Sequence, residues 1–380
     1  MKYIDDFRNP KAADFICSQI NDLAGVLSKQ GKTVNIMEVC GSHTMAIGRF
    51  AIRELLPENV RLISGPGCPV CVTDPGYIDV ALQATGYRLQ ATDVRSLSSD
   101  VRGPIIVTFG DMINVPGSES TLSSCRANGA DIEVCYSPMV VLDFAKRYPD
   151  REIIFLAIGF ETTIAPIMGL LKIIEEQNIE NISFLTAFKL VPPALQALLD
   201  DPELKIDAFL CPAHVSSIIG ARVYEPIARN YKIPCVIASF EPVEILYGLK
   251  QILKQLVEGT PKVENLYKRF VTEEGNLKAQ ELLSKYLEPY DALWRGIGTI
   301  PKSGLRLKKE YSRYDATKKF SIKIKPGKNN PSCRCADVLK GKILPLECPL
   351  FAKTCNPQYP IGPCMVSSEG SCSAYYKYSK

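Results

Sequence analysis

The sequence predicts an α/β protein: two parallel sheets covered by helices, then a small irregular C-terminal unit organised by cysteine. Three observations carry this. Between Thr33 and about Gln255, short β-branched runs alternate with longer amphipathic stretches, the pattern of repeated βα units. Beyond Gly259 the texture changes, and Pro331 to Lys380 is rich in Cys, Pro, Gly and Ser with little apolar periodicity. The chain has 380 residues, 46% of them hydrophobic, enough at about 150 residues per domain for two to three units with their own cores.

The strand-like runs, in order, are Val34–Val39, Arg61–Ser64, Ile105–Phe109, Asp131–Cys135, Ile153–Ile158, Ile182–Ala187, Ala208–Cys211 and Cys235–Ser239. They suit one doubly wound sheet or two smaller ones, and the polar turn Cys125–Ala130 favours two. The expected division is 30–125 for the first α/β domain, 126–255 for the second and 256–380 for a helical and cysteine-rich unit. Val263 to Tyr290 reads as helical. Lys302 to Lys328 then carries ten basic residues against Glu310 and Asp315. With no aromatic-rich module around it, the run reads as a solvated face or a docking face for an acidic electron donor, not a nucleic-acid site.

A formal charge of +4 is small for this length and points to neither nucleic acid nor a membrane surface. Met1 to Pro10 lacks the apolar core of a signal peptide. The most apolar window, Ile153 to Ile174, is interrupted by Gly159, Glu161 and Pro166 and reads as a buried strand and helix, not a membrane span. The expectation is a soluble, cytoplasmic protein. Its fourteen cysteines then sit in a reducing compartment, where thiols more often bind metals or do redox work. Cys17, Cys125, Cys135, Cys211 and Cys235 are scattered and read as small buried hydrophobes.

Ligands of open α/β sheets bind where loops leave the carboxyl ends of strands, and the unusual residues gather there. Val34–Val39 runs into Cys40-Gly41-Ser42-His43-Thr44, with a helix just after. Cys40 is therefore expected near a helix N-terminus, whose dipole and free amides favour the thiolate. Arg61–Ser64 ends in Gly65-Pro66-Gly67-Cys68-Pro69-Val70-Cys71, two thiols close together in a stiff loop. Further strand ends carry Gly159-Phe160-Glu161-Thr162-Thr163, Cys211-Pro212-Ala213-His214-Val215-Ser216 and Phe240-Glu241-Pro242. Both histidines of the chain lie in such loops, which marks His43 and His214 as candidates against the plain reading of loop histidines. Glu161 is a candidate whose alternative role is capping the next helix. Three chemistries fit Cys40, His43, Cys68 and Cys71: structural zinc, a thioredoxin-like dithiol at Cys68 and Cys71, or a catalytic or iron-carrying site with Cys40 as main ligand. Attachment to strong strands weighs against zinc, which usually holds together a region lacking a core.

The tail reads C-x-C-x12-C-x6-C-x8-C-x7-C, from Cys333 through Cys335, Cys348, Cys355 and Cys364 to Cys372, without a histidine. A mixed Cys/His finger is excluded, and a four-cysteine zinc site stays open. Cubane clusters take four thiolates, so six divides naturally into four ligands and a pair able to form a disulfide. The spacings match no ferredoxin run, so the pattern is specific for a metal centre and not by itself for its type; a 4Fe–4S cluster is the expectation carried forward.

Taken in order, the motifs Glu38–Thr44, Gly65–Cys71, Gly159–Thr163 and Pro212–Ser216 and the cysteine tail resemble the HypD family of hydrogenase maturation factors, from about residue 5 to 375. The resemblance implies two α/β domains facing a cleft and a cluster domain built from both chain ends, so that 1–29 would join 256–380. It implies a scaffold with redox activity for the iron carrying two cyanides and one carbon monoxide, destined for nickel–iron hydrogenase. The iron would be shared between Cys40 and the small chaperone HypC, cyanide would come from HypE, and the hydrogenase large subunit would be a further partner. The tail is similar to the catalytic subunit of ferredoxin–thioredoxin reductase. By that likeness Cys333, Cys348, Cys355 and Cys372 would be cluster ligands, and Cys335 and Cys364 the redox pair. His43 would hydrogen-bond a cyanide nitrogen or protonate a leaving thiolate. The rival function is a stand-alone disulfide reductase with cluster and dithiol but no external iron; a third is a cluster-bearing binding protein without turnover.

Overall fold

In the computed structural model, which describes residues 6–85 and 103–379, every run read as a strand is one. They are β1 (Val34–Glu38), β2 (Val60–Ser64), β3 (Ile105–Phe109), β4 (Ile132–Cys135), β5 (Ile153–Gly159), β6 (Ile182–Lys189), β7 (Ala208–Cys211) and β8 (Cys235–Ile237). One sheet has the order β2-β1-β7-β8 and is extended by β9 (Val263–Asn265), every pair parallel. The other runs β6-β5-β3-β4 in parallel, and an antiparallel hairpin of β10 (Leu287–Trp294) and β11 (Gly298–Leu307) joins its β6 edge. All of β5 is buried, as befits a strand covered on both faces.

Sheet membership does not follow chain order. β3 belongs with β4–β6, while β7 and β8 return to lie beside β1, so a cut at 125/126 parts β3 from its sheet. Parallel pairing needs long crossovers, which free a strand from its sequence neighbour. The N-terminal helix Pro10–Lys29, expected beside the tail, packs instead on the helix Pro242–Glu258 of the first sheet. There Ile16, Ile20, Ala24 and Leu27 share a core with Leu249 and Leu253.

Val263–Tyr290 is helical only over Leu277–Tyr286, where Asn276 caps the helix by accepting from the Ala279 amide at 3.1 Å. The flanks are drawn into sheets as β9 and β10. Pro289 is tolerated because β10 is an edge strand. The basic stretch likewise begins inside β11, where Ser303 is fully buried.

One apolar cluster runs between the sheets, with Met37 and Phe209 from the first, Ile106, Ile154 and Leu185 from the second, and Cys364 and Met365 from the tail. Too poor in apolar residues to build its own core, the tail borrows this seam. Among the described residues no helix is long and apolar enough to cross a membrane.

Candidate functional site

In both sheets the strand order reverses once, between β1 and β7 in the first and between β3 and β5 in the second. Adjacent loops diverge at such a point and open a crevice. The first is bordered by the loops after β1, β7 and β8, which carry Cys40, His214 and Phe240. Cys40 caps the helix Gly41–Arg49, and the Gly41 amide donates to the Gly67 carbonyl at 3.1 Å. A Cβ at Gly67 would stand 2.4 Å from the Cys40 nitrogen, so glycine there lets the two thiol loops interlock. Cys68 caps the short helix Pro69–Val72 and is disulfide-bonded to Cys71, with Cα atoms 5.3 Å apart. Cys71 Sγ lies 3.9 Å from the Pro363 carbonyl oxygen, so the disulfide abuts the tail one residue from Cys364.

The structure reverses the expected ionisation of Cys40. The amides of His43 and Ser42 favour its thiolate, but burial and the carboxylate of Glu369 outweigh them and push the thiol up to about 12. Cys40 is therefore protonated at neutral pH, and a metal that binds it must displace the proton. His43 is fully buried. Its Nε2 stands 3.0 Å from the Ser239 oxygen and 3.2 Å from that of Ala238, so Nε2 carries the proton and donates. Nδ1 is then a buried acceptor without a partner among the described residues. Burial lowers the ring to about 4. Neutral and with its N–H on the backbone, His43 has no proton for a cyanide nitrogen or a leaving thiolate; Nδ1 accepts only. Phe240 lies between the histidines, its ring centroid 4.7 Å from His43 and 4.4 Å from His214. His214 is exposed, on the helix Ala213–Ile219, and desolvation lowers its pKa.

Glu161 lies at the second crevice, apart from this group, as the first residue of the helix Glu161–Glu176. Its Oε1 accepts the Val191 amide at 3.0 Å, capping the helix Val191–Leu199, and burial raises the carboxyl to about 7. Capping is thus its visible task, on a different helix from the one expected.

All six tail cysteines line one small hollow, walled also by Leu350, Phe351 and Met365. The Cys335 thiol lies beside those of Cys333 and Cys364, and the Ile361 amide donates to Cys355 Sγ at 3.4 Å. Among the described residues no group of three or more His, Cys, Asp or Glu side chains is gathered as a single metal ion requires. The sulfurs ring a space instead. An all-thiolate donor set around an apolar-walled hollow fits a polynuclear iron–sulfur group.

Sequence reasoning missed the residues that join tail to crevices. Ser42 Oγ donates to Glu369 Oε1 at 3.0 Å, and a Cβ at Gly41 would lie 2.4 Å from the Glu369 Cβ. Asp111, at the second crevice, accepts from Ser367 Oγ at 2.9 Å and from the Ser368 amide and hydroxyl at 3.1 Å. The tail segment Ser367–Gly370 thereby spans both crevices. Glu38, buried beside Cys40, accepts from Thr44 Oγ1 at 2.6 Å and Ser64 Oγ at 3.0 Å, and burial raises it to about 7. Glu38 begins the first cysteine motif, a signal available in the sequence; Glu369 and Asp111 offered none.

Fold and site define a two-sheet α/β protein with thiols at its strand ends and six more lining one hollow in its tail. The family model for HypD, described as the hydrogenase formation hypA family, matches residues 13–379. A hydrogenase maturation factor HypD of Cupriavidus necator is 41% identical over 388 aligned residues, covering 100% of this chain and 98% of that protein. That of Escherichia coli K12 is 39% identical, covering 100% and 98%. A putative hydrogenase expression/formation protein of Methanocaldococcus jannaschii is 39% identical, covering 95% and 96%. The chain belongs to the HypD family and is a hydrogenase maturation factor.

Proposed function

We propose that this chain is the scaffold on which the iron with two cyanides and one carbon monoxide is assembled for nickel–iron hydrogenase. One observation carries the reading: the Cys40 loop interlocks with the Cys68–Cys71 disulfide, whose sulfur abuts the tail beside Cys364. The Cys40 loop, the disulfide and the tail loop that carries Cys364 thus lie side by side. Cys40 holds the iron together with the small chaperone HypC, and HypE brings the cyanide. Soft thiolate suits iron bearing strong-field ligands. Ligation releases the Cys40 proton, and Glu369, seated on Gly41, is the adjacent carboxylate to receive it.

Cys333, Cys348, Cys355 and Cys372 hold a 4Fe–4S cluster in the tail hollow, and Cys335 and Cys364 are the redox pair. Such a cluster supplies single electrons when bound. Each disulfide reduced, Cys68–Cys71 included, takes up two electrons and two protons. His43 fixes the loop after β8 through its Nε2 donation and offers Nδ1 as an acceptor to a ligand donor. The alternative, a disulfide reductase without external iron, draws support from the Cys68–Cys71 bond alone. Infrared spectroscopy of the anaerobic complex with HypC separates them. Wild type should show cyanide and carbonyl bands, and Cys40→Ala none while HypC still binds; bands that survive in Cys40→Ala refute the scaffold.

A further inference from the structure

A cleft of about 510 Å³ opens beside the tail, between the loop following β3, the β10–β11 turn and the tail itself. Small-molecule sites span about 300–1,000 Å³. Cys333, Cys335 and Gly362 belong both to its wall and to that of the six-cysteine hollow, so the cleft adjoins that hollow. A Cβ at Gly362 would meet Cys333 Sγ at 2.6 Å; glycine leaves that sulfur its room.

Two cations line the cleft against the single carboxylate of Glu119. Arg295 is only 4% exposed; its Nη2 makes a long 3.4 Å bond to the Pro116 oxygen, and Nε has no partner among the described residues. A buried guanidinium with unused donors is costly until an anion meets it. The thiols of Cys335, Cys364 and Cys333 and the carboxylate of Asp74 lie near Arg295, but none is hydrogen-bonded to it, and Asp74 Oδ1 already accepts the amides of Gly76 and Gly327 at 2.8 and 2.7 Å. Lys328 stands exposed at the rim. The lining thus asks for a small anion, and the cysteines on its inner wall ask for a sulfur reactant.

We propose that the cleft binds an anionic low-molecular-weight thiol, its carboxylate on Arg295 and its sulfur against Cys335. This rests on Cys335 and Cys364 being the redox pair. The ligand thiolate attacks Cys335 of a Cys335–Cys364 disulfide, forming a mixed disulfide and releasing Cys364, which takes a proton. The thiolate of a second ligand attacks the ligand sulfur of the mixed disulfide and releases Cys335, which is protonated in turn. Two thiols leave as their disulfide, and the pair gains two electrons and two protons.

The test uses the purified full chain in two arms. In the reduced protein, alkylation by iodoacetamide, mapped cysteine by cysteine, should be slowed by succinate at Cys335 and unchanged at Cys17. Arg295→Gln should abolish that protection, and Lys328→Ala, at the solvent-exposed rim, should weaken it with the fold intact by circular dichroism. In the second arm the oxidised protein is reduced at equal thiolate concentration by mercaptosuccinate, 2-mercaptoethanol or cysteamine. Mercaptosuccinate should saturate and exceed 2-mercaptoethanol by about tenfold, the worth of one charge-assisted contact, with cysteamine slowest. Equal rates, or no succinate protection, overturn the site. A Cys335–Cys364 pair that never oxidises overturns the redox reading and the exchange, and is told apart from a failed cleft because succinate protection persists.

Discussion

Replacing Glu161 by glutamine removes one ionisable group and little else. Glu161 is 1% exposed; Oε1 holds the Val191 amide, and Oε2 has no partner among the described residues. Burial raises its carboxyl from 4.5 to about 7, although the amides of Glu161 and Val191 favour the charged form. Because the folded value lies above the unfolded one, the stability tied to this proton is complete below about 4.5. It is lost as pH rises through 7. By pH 8 the ionised carboxyl costs the folded state about 3 kcal/mol. Glutamine keeps the Val191 bond and leaves an unpaired NH2, a penalty that does not vary with pH. Denaturant unfolding can be followed by Trp294, the sole tryptophan, 1% exposed and stacked on Phe160 at 6.0 Å. From pH 5 to 8 the wild type should lose roughly 2–3 kcal/mol relative to Glu161→Gln. A difference that stays constant with pH, or a variant that loses stability faster, refutes the reasoning.

Anaerobically purified protein should contain about four iron and four acid-labile sulfides per chain; stoichiometric zinc without labile sulfide refutes the cluster. Cys348→Ala or Cys355→Ala should lose metal and tail fold together, since metal binding there is folding energy. Cys335→Ala and Cys364→Ala should keep the visible absorbance and stop maturation, and a colourless variant of either sinks the four-plus-two partition. Gly67→Ala sets a Cβ 2.4 Å from the Cys40 nitrogen, a backbone atom that cannot swing aside. The expected cost is about 1–3 kcal/mol, with faster iodoacetamide modification of Cys40 as the loops part. An unchanged Tm and an unchanged alkylation rate would count against the interlocked loops.

Every parallel strand up to β8 was legible, because strands buried on both faces are written as short β-branched runs such as Ile153–Gly159. The positions of Cys40, Cys68 and His214 at strand ends were legible for the same reason. What failed were assignments that depend on pairing partners. β9 and β10 lie in a stretch with helical periodicity, yet the edge of a formed sheet offers them hydrogen bonds that local propensity does not foresee.

The sequence alone determined the α/β class, the thiol loops at strand ends, the six-cysteine tail and the family. Only the tertiary structure decided which loops share a crevice, since β7 and β8 cross back to β1. It also decided the protonation of the site. A helix N-terminus beside Cys40 argued for a thiolate, but Glu369 reaches Ser42 from 327 residues away and the loop is buried, so the thiol keeps its proton. Likewise Arg295 meets Cys335 only through the fold. The charge state of a buried group sums desolvation and every neighbour the fold delivers, and neither quantity is carried by the local pattern of the chain.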